Sequence, residues 1–178
     1  GKTFDRNAAN PPAFEIFHNT VTEGYPEHWH TAIEIIMPTR GEYEVVVGKD
    51  SYNLKEGDII MINSGVVHGM RFVSQGERIV MLVEPGCVEN QEEMETIFLR
   101  LPAIYFKKED EEDPFYLFLR SQILELVREY DNEGAVMTHR ICTGLKELFS
   151  EFGRKGFSDA NAQNTFGAIT VRSQMTRL

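Results

Sequence analysis

Cysteine is nearly missing from this chain: Cys87 and Cys142 are the two among 178 residues, 55 positions apart and in no CxxC pairing. That scarcity excludes a secreted disulfide framework and a thiolate-rich zinc site, and neither thiol has a cationic sequence neighbour that would favour thiolate. Long apolar runs are missing too. No stretch approaches the ~18 residues needed to cross a bilayer, and the opening Gly1-Lys2-Thr3-Phe4-Asp5 lacks the apolar core of a signal peptide. The expectation is a soluble, cytoplasmic protein with no membrane partner. Basic residues are few, 18 against 28 acidic ones, for a formal net charge of −10. Residues 1–86 carry 7 basic and 12 acidic groups, residues 87–113 carry 3 and 9, and only the tail from 154 to 178 is basic, with 4 and 1. Nucleic-acid affinity comes largely from neutralising phosphates, so this chain by itself is expected to bind DNA or RNA poorly. Also missing are GxSxG, GxxxxGK[ST] and GxGxxG, which excludes a nucleophile elbow, a phosphate loop and a dinucleotide fingerprint.

What the chain does have is core material: 42% apolar and 11% aromatic residues, too many for a disordered polymer. From His28 to Pro85 the Val- and Ile-rich runs Glu34–Met37, Tyr43–Val47, Ile59–Ile62 and Ile79–Val83 alternate with turn signals every 8–12 residues or so, the pattern of an all-β sandwich or barrel. After Pro85 the period becomes helical. Met94, Ile97, Phe98 and Leu101 share a face; Asp113-Pro114 reads as an N-cap and first helical residue; Phe115, Phe118, Leu119, Ile123, Leu126, Val127 and Tyr130 line a second stripe, and Ile141, Leu145, Leu148 and Phe152 a third. The spacing predicts a barrel over 12–85 and helices near 89–101, 114–131 and 135–153. It divides the chain into a barrel with an N-terminal arm (1–86), a helical extension (87–156) and a polar linker (157–178). The helical stripes pack on the barrel or pair two chains; a homodimer would use the Phe115–Leu126 stripe or the Leu145–Phe152 stripe.

Histidine is scarce, five in all, and three gather beside two turns: His28-Trp29-His30-Thr31-Ala32-Ile33-Glu34, and Asn63-Ser64-Gly65-Val66-Val67-His68. Imidazoles at i and i+2 of a strand share a face about 7 Å apart, a gap one metal ion bridges. Three imidazoles and a carboxylate, His28, His30, Glu34 and His68, suit a divalent transition metal (Zn, Ni, Fe or Mn) and leave two open positions on a six-coordinate ion. A straight strand would carry Glu34 about 13 Å beyond His30, so a shared ion requires a bend at Thr31–Ile33. A polar pocket holding an organic ligand or water fits the same residues. Arg40 and Arg71 lie close in sequence to the cluster and are placed to pair with an anionic ligand, or with surface carboxylates. Tyr25, Trp29 and Tyr43 are candidates to stack on a ligand at the barrel mouth, although alternation turns Trp29 away and makes it a packing residue. The candidate ligand-binding set is therefore His28, His30, Glu34, His68, Arg40 and Tyr43.

The pattern HxHxxxE, six residues, G, then GDxxxxNxGxxH resembles the two motifs of the cupin superfamily over Gly24 to about Phe72, with Asn63 at the motif's usual proline and Phe72 at its asparagine. That resemblance implies a mainly β jelly-roll barrel, here with a C-terminal α-helical extension, and a metal set of His28, His30, Glu34 and His68. Over residues 14–155 the phrase Glu34-Ile-Ile-Met-Pro-Thr-Arg-Gly41 and the amphipathic end resemble the N-terminal sensing domain of AraC-type transcriptional regulators. This implies a small-molecule effector in the barrel, homodimerisation through the C-terminal helices, DNA contact only through a domain absent from this chain, and a sequence cut from something longer inside its linker. On that basis the chain is expected to be a binding module and not an enzyme. The runner-up is a metal-dependent cupin enzyme: an isomerase, epimerase or dioxygenase.

Overall fold

The computed structural model of the protein describes residues 13–87, 103–108, 113–131, 140–141, 143–148, 150–151 and 169–170. Eight strands come first: β1 (Phe14–Val21), β2 (Tyr25–His28), β3 (Ile33–Arg40), β4 (Tyr43–Val47), β5 (Asp50–Leu54), β6 (Ile59–Ile62), β7 (His68–Phe72) and β8 (Gly76–Val83). After a 3-10 turn at Pro85–Cys87 come β9 (Ala103–Phe106), helix α1 (Pro114–Asp131) and a two-residue strand, β10 (Ile169–Thr170). Two antiparallel sheets result, in the orders β1-β8-β3-β6-β9-β10 and β2-β7-β4-β5. The architecture is mainly β, with a helical extension towards the C-terminus, as the sequence predicts.

The larger sheet is buried on both faces, which is why β3, β6 and β8 are nearly continuous apolar runs rather than alternating ones. Ile33, Ile35, Met37, Ile59, Met61, Ile79, Met81 and Val83 point outward into one core, shared with the helices. Their neighbours in the opposite phase, including Ile36, Ile60, Ile62 and Val80, face the smaller sheet and meet Tyr43, Val45, Val47, Tyr52, Leu54 and Met70 in a second core, the interior of the barrel.

The Gly57-Asp58 pair holds the β5–β6 turn to its surroundings. Gly57 has a φ of +84°, open to glycine at no steric cost; its N–H donates to the Pro38 carbonyl (2.8 Å) and its own carbonyl accepts the Tyr116 hydroxyl (2.7 Å). The buried Asp58 carboxylate accepts from the Lys55 N–H (3.0 Å), the Tyr105 hydroxyl (2.6 Å) and the Lys108 N–H (2.9 Å). It thereby pins β9 beside β6, where Ile59–Ile62 pair with Phe106–Ala103. β9 lies within the expected extension (87–156), between two of its expected helices: four buried residues after Pro102 are too short a run to show a period, and they return to the sheet.

Helix α1 occupies the predicted span. Its Asp113 cap accepts the Phe115 N–H at 2.8 Å. The Tyr116, Leu119, Ile123 and Leu126 side chains are buried within this chain, as are Ile141, Leu145 and Leu148 from the described helical residues 140–141 and 143–148. Leu117 and Leu124 face outward. The expected helix at 89–101, Phe152 and most of the expected linker lie outside the described residues. No described helix is long and apolar enough to cross a membrane. Because Leu119 is fully buried between α1 and the larger sheet, Leu119→Ala is expected to cost about 2–5 kcal/mol. A denaturant titration that leaves stability unchanged would show that the helix is not docked as described.

Candidate metal centre

His28, His30, Glu34 and His68 come from four different local settings. His28 ends β2 and His68 opens β7, paired as cross-strand neighbours in the smaller sheet. Glu34 is the second residue of β3 in the larger sheet, opposite Ile62 and Leu82. His30 lies in the connection between them, where the chain bends at Thr31–Ala32 to pass from one sheet to the other. The bend that a shared ion requires is therefore present, and it is the crossing between sheets rather than strand alternation that brings His30 to the cluster. Gly65, at φ +73°, donates its N–H to the His30 carbonyl at 2.9 Å, so the second motif's glycine holds the first motif's histidine.

Side-chain hydrogen bonds then aim the rings. His28 Nδ1 stands 3.0 Å from the Pro26 carbonyl, His30 Nδ1 2.9 Å from that of Ala32, and His68 Nδ1 2.8 Å from that of Val66. A carbonyl oxygen only accepts, so all three Nδ1 atoms carry the proton and all three Nε2 atoms are left to face inward. His30 Nε2 lies 3.0 Å and His68 Nε2 2.9 Å from the same Glu34 Oε2. Ring centroids are 4.6–5.6 Å apart. His30, Glu34 and His68 are buried and His28 is exposed, so the cluster opens to solvent on the His28 side.

A metal ion fits this donor set. One ligand atom from each residue lies within 4.8 Å of all the others; an ion about 2.0–2.2 Å from each donor spans at most ~4.4 Å, so a contraction of under half an ångström completes the shell. An imidazole whose Nδ1 proton is committed to a carbonyl is attracted to a carboxylate only when Nε2 carries a proton or shares a cation with it. Burial works against the Glu34 charge, but hydrogen bonds from His30 and His68 and the attraction of their charges outweigh it and hold the carboxyl far below its usual range. Burial likewise opposes the His68 charge, yet the Glu34 hydrogen bond and charge, helped by the Val66 carbonyl, push that imidazole up.

The remaining candidates are placed elsewhere. Arg40 is exposed at the far end of β3 and pairs with Glu77 (3.3 Å); Arg71 is exposed and pairs with Glu44 (3.3 Å). Tyr43 is fully buried in the barrel interior. Trp29, read as a packing residue, is 53% exposed next to His28; the chain leaves β2 at His28, so strand alternation does not govern its direction. Sequence reasoning missed Arg78, a buried arginine in phase with the interior residues of β8; a lone cation at an inward position between Glu77 and Ile79 was the signal. The expectation that the chain is not an enzyme is also corrected. Four convergent ligands would leave positions open on a six-coordinate ion, the kind of centre at which metal ions catalyse reactions.

The metal-free protein carries a testable sign. Glu34 has a depressed folded-state pKa, so its contribution to stability is complete above the ordinary carboxyl value of 4.5 and is lost as pH falls through the depressed value. His68 has a raised one, so its contribution is complete below 6.5 and is lost as pH rises through the raised value. Melting with chelator present is expected to show its plateau between those two pH values, and added zinc to extend the plateau to the alkaline side. A profile that zinc leaves unaltered would remove the metal assignment.

Comparison with known proteins places the fold. A family model described as a cupin domain matches residues 19–84. No curated protein matches the chain. Among solved structures, the conserved protein SPY1581 of unknown function from Streptococcus pyogenes is similar at 17% identity over 43% of this chain and 68% of its own, with a TM-score of 0.40. The DMSP lyase DddQ from Ruegeria pomeroyi is similar at 24% identity over 44% of this chain and 41% of its own, TM-score 0.38. ToxT from Vibrio cholerae, solved with an unsaturated fatty acid bound, aligns over 88% of this chain and 58% of its own at 12% identity, with a TM-score of 0.52. The strand order and the two motifs agree with the family match, and residues 19–84 are similar to a cupin domain.

Proposed function

We propose that the chain is a metal-dependent cupin enzyme acting on a small molecule admitted beside His28, in a reaction of the isomerase, epimerase or dioxygenase kind. The observation that carries this reading is the set of three Nδ1-to-carbonyl hydrogen bonds, which leave three Nε2 atoms and Glu34 Oε2 facing one point. A divalent ion held there supplies a Lewis acid with exchangeable positions for water or substrate. The chain's own residues do the rest. The carbonyls of Pro26, Ala32 and Val66 fix tautomer and ring angle, Glu34 offsets charge, and the buried side of the cluster excludes bulk water while His28 leaves an approach.

A second reading is a sensing domain whose barrel binds an effector and whose helices pair two chains. It is favoured by the alignment with ToxT, an AraC-family regulator, which spans the helical residues as well as the barrel. Metal analysis by mass spectrometry is expected to find about one divalent ion per chain, retained in the wild type and lost in His30→Ala with the circular dichroism unchanged. Turnover screens on the metal-loaded protein, by oxygen uptake and by NMR of sugar and organic-acid mixtures, separate the two readings. Turnover that disappears in His30→Ala supports the enzyme; saturable binding of a ligand that is never transformed supports the sensor. A wild-type protein that retains no metal after dialysis would overturn the proposal.

A further inference from the structure

Arg78 is 6% exposed and stands in the barrel phase of β8, in register with Asn19 on β1 and Pro38 on β3. Its Nε donates to Asn19 Oδ1 at 3.3 Å and its Nη1 to Met70 Sδ at 2.7 Å, a weak acceptor. The guanidinium also lies over the rings of Tyr25 (4.9 Å) and Tyr43 (5.9 Å). Among the described residues no carboxylate pairs with it. Of five N–H groups, two have partners, and a buried guanidinium with three donors unused is costly to keep. Beside it the Tyr43 hydroxyl is buried with no hydrogen-bond partner among the described residues. Burial above all keeps that hydroxyl in its neutral, donating form, with the Glu34 charge acting in the same direction against that of Arg78. Two unsatisfied donors therefore sit together inside the barrel, and the half-exposed Tyr25 stacked on Arg78 marks an approach from solvent.

We propose that Arg78 and Tyr43 form a carboxylate-binding subsite, so that the molecule bound in this barrel carries a carboxylate group. One cation and one neutral hydroxyl balance a single negative charge, which suits a carboxylate and leaves a phosphate dianion undercompensated. The planar guanidinium offers its free edge for paired N–H donation and the hydroxyl adds a third bond. Glu34 is opposite Leu82, four residues along β8 from Arg78, about 13 Å of strand that the arginine side chain partly spans. If the metal reading above holds, on which this step alone rests, the same molecule reaches the cluster with its other end, which makes the substrate a small organic acid whose second polar group lies a few bonds from the carboxylate.

The test uses lactate and succinate as probes against lactamide and succinamide, by calorimetry and thermal shift on the full chain, with and without zinc. The acids are expected to bind and the amides to fail. Arg78→Met is expected to weaken acid binding about tenfold or more, as for loss of a charge-assisted pair, while melting at the same or a higher temperature without probe, because a cation lacking a counter-ion has been removed. Tyr43→Phe, nearly isosteric, should weaken the acids several-fold and leave the fold intact. Acids and amides binding alike, no acid binding, or acids binding Arg78→Met as they bind the wild type would each overturn the subsite. So would an Arg78→Met protein that melts lower and gains no less from the acids, since the cation would then be a structural group. Should Arg78→Met not fold, Arg78→Lys and Tyr43→Phe decide, and unchanged affinity in both is the refuting result. Acid binding that needs Arg78 but ignores zinc leaves the subsite standing and counts against the metal reading, which keeps the two failures apart.

Discussion

Glu34 Oε2 is the point at which the two sheets are joined by charge rather than by apolar contact. It projects from β3 in the larger sheet and meets His68, from β7 in the smaller one, at 2.9 Å, and His30, from the crossing between them, at 3.0 Å. A carboxylate buried in this way is tolerated only where donors or a cation compensate it. Much of the surrounding backbone serves that condition. The bend at Thr31–Ala32 turns His30 inward, Gly65 holds the bend by its N–H, and the Ala32 and Val66 carbonyls commit the Nδ1 protons. The motif spacing follows from this geometry: His30 and His68 must arrive at one oxygen from two sheets, and only a chain that changes sheet between His28 and Ile33 brings them there.

The larger sheet separates stability from chemistry. Its outer face is apolar and covered by α1 and the helical residues after it, whereas its inner face carries Glu34 and Arg78 among Ile36, Ile60, Ile62 and Val80. Fully burying a Leu or Ile side chain contributes about 1.5–3 kcal/mol, and the outer core contains many of them. That surplus is what lets the inner face hold polar groups which would otherwise unfold a small barrel. The Tyr116–Gly57 and Asp58–Tyr105 hydrogen bonds connect helix, turn and β9, so the cover and the barrel are built as one unit.

Much of this was legible beforehand, for physical reasons. Turn-punctuated Val and Ile runs and the switch to helical period mark the barrel strands and α1, and Asp113-Pro114 marks where the helix starts. The four cluster residues were legible because histidine is rare and three fell beside two turns; the required bend at Thr31–Ile33 followed from strand rise alone, and the chain makes it at Thr31–Ala32. Arg40 lies apart from the cluster because six residues of strand after Glu34 carry it about 20 Å along β3. Nearness in sequence is distance in an extended chain. Arg78 was harder to find: it comes ten residues after His68, on a strand whose two buried faces leave a lone cation as the one sign of an inward polar position. The four residues of β9 had no room to declare a period.

The exposed arginines acquire a different meaning once Arg78 is placed. A chain with a formal charge of −10 repels anions at long range, but at physiological ionic strength that field fades over about 8 Å, so nearby groups set the sign that a ligand meets. Two carboxylates flanking Arg78 and Tyr43 in sequence are already engaged. Glu77, its neighbour in β8, is paired with Arg40, and Glu44, next to Tyr43 in β4, is paired with Arg71 and accepts the Ser51 hydroxyl. Exposed pairs of this kind add little to stability. They do neutralise the acids next to Arg78 and Tyr43 in sequence, so Arg78 retains its charge towards the interior while the protein as a whole remains strongly acidic.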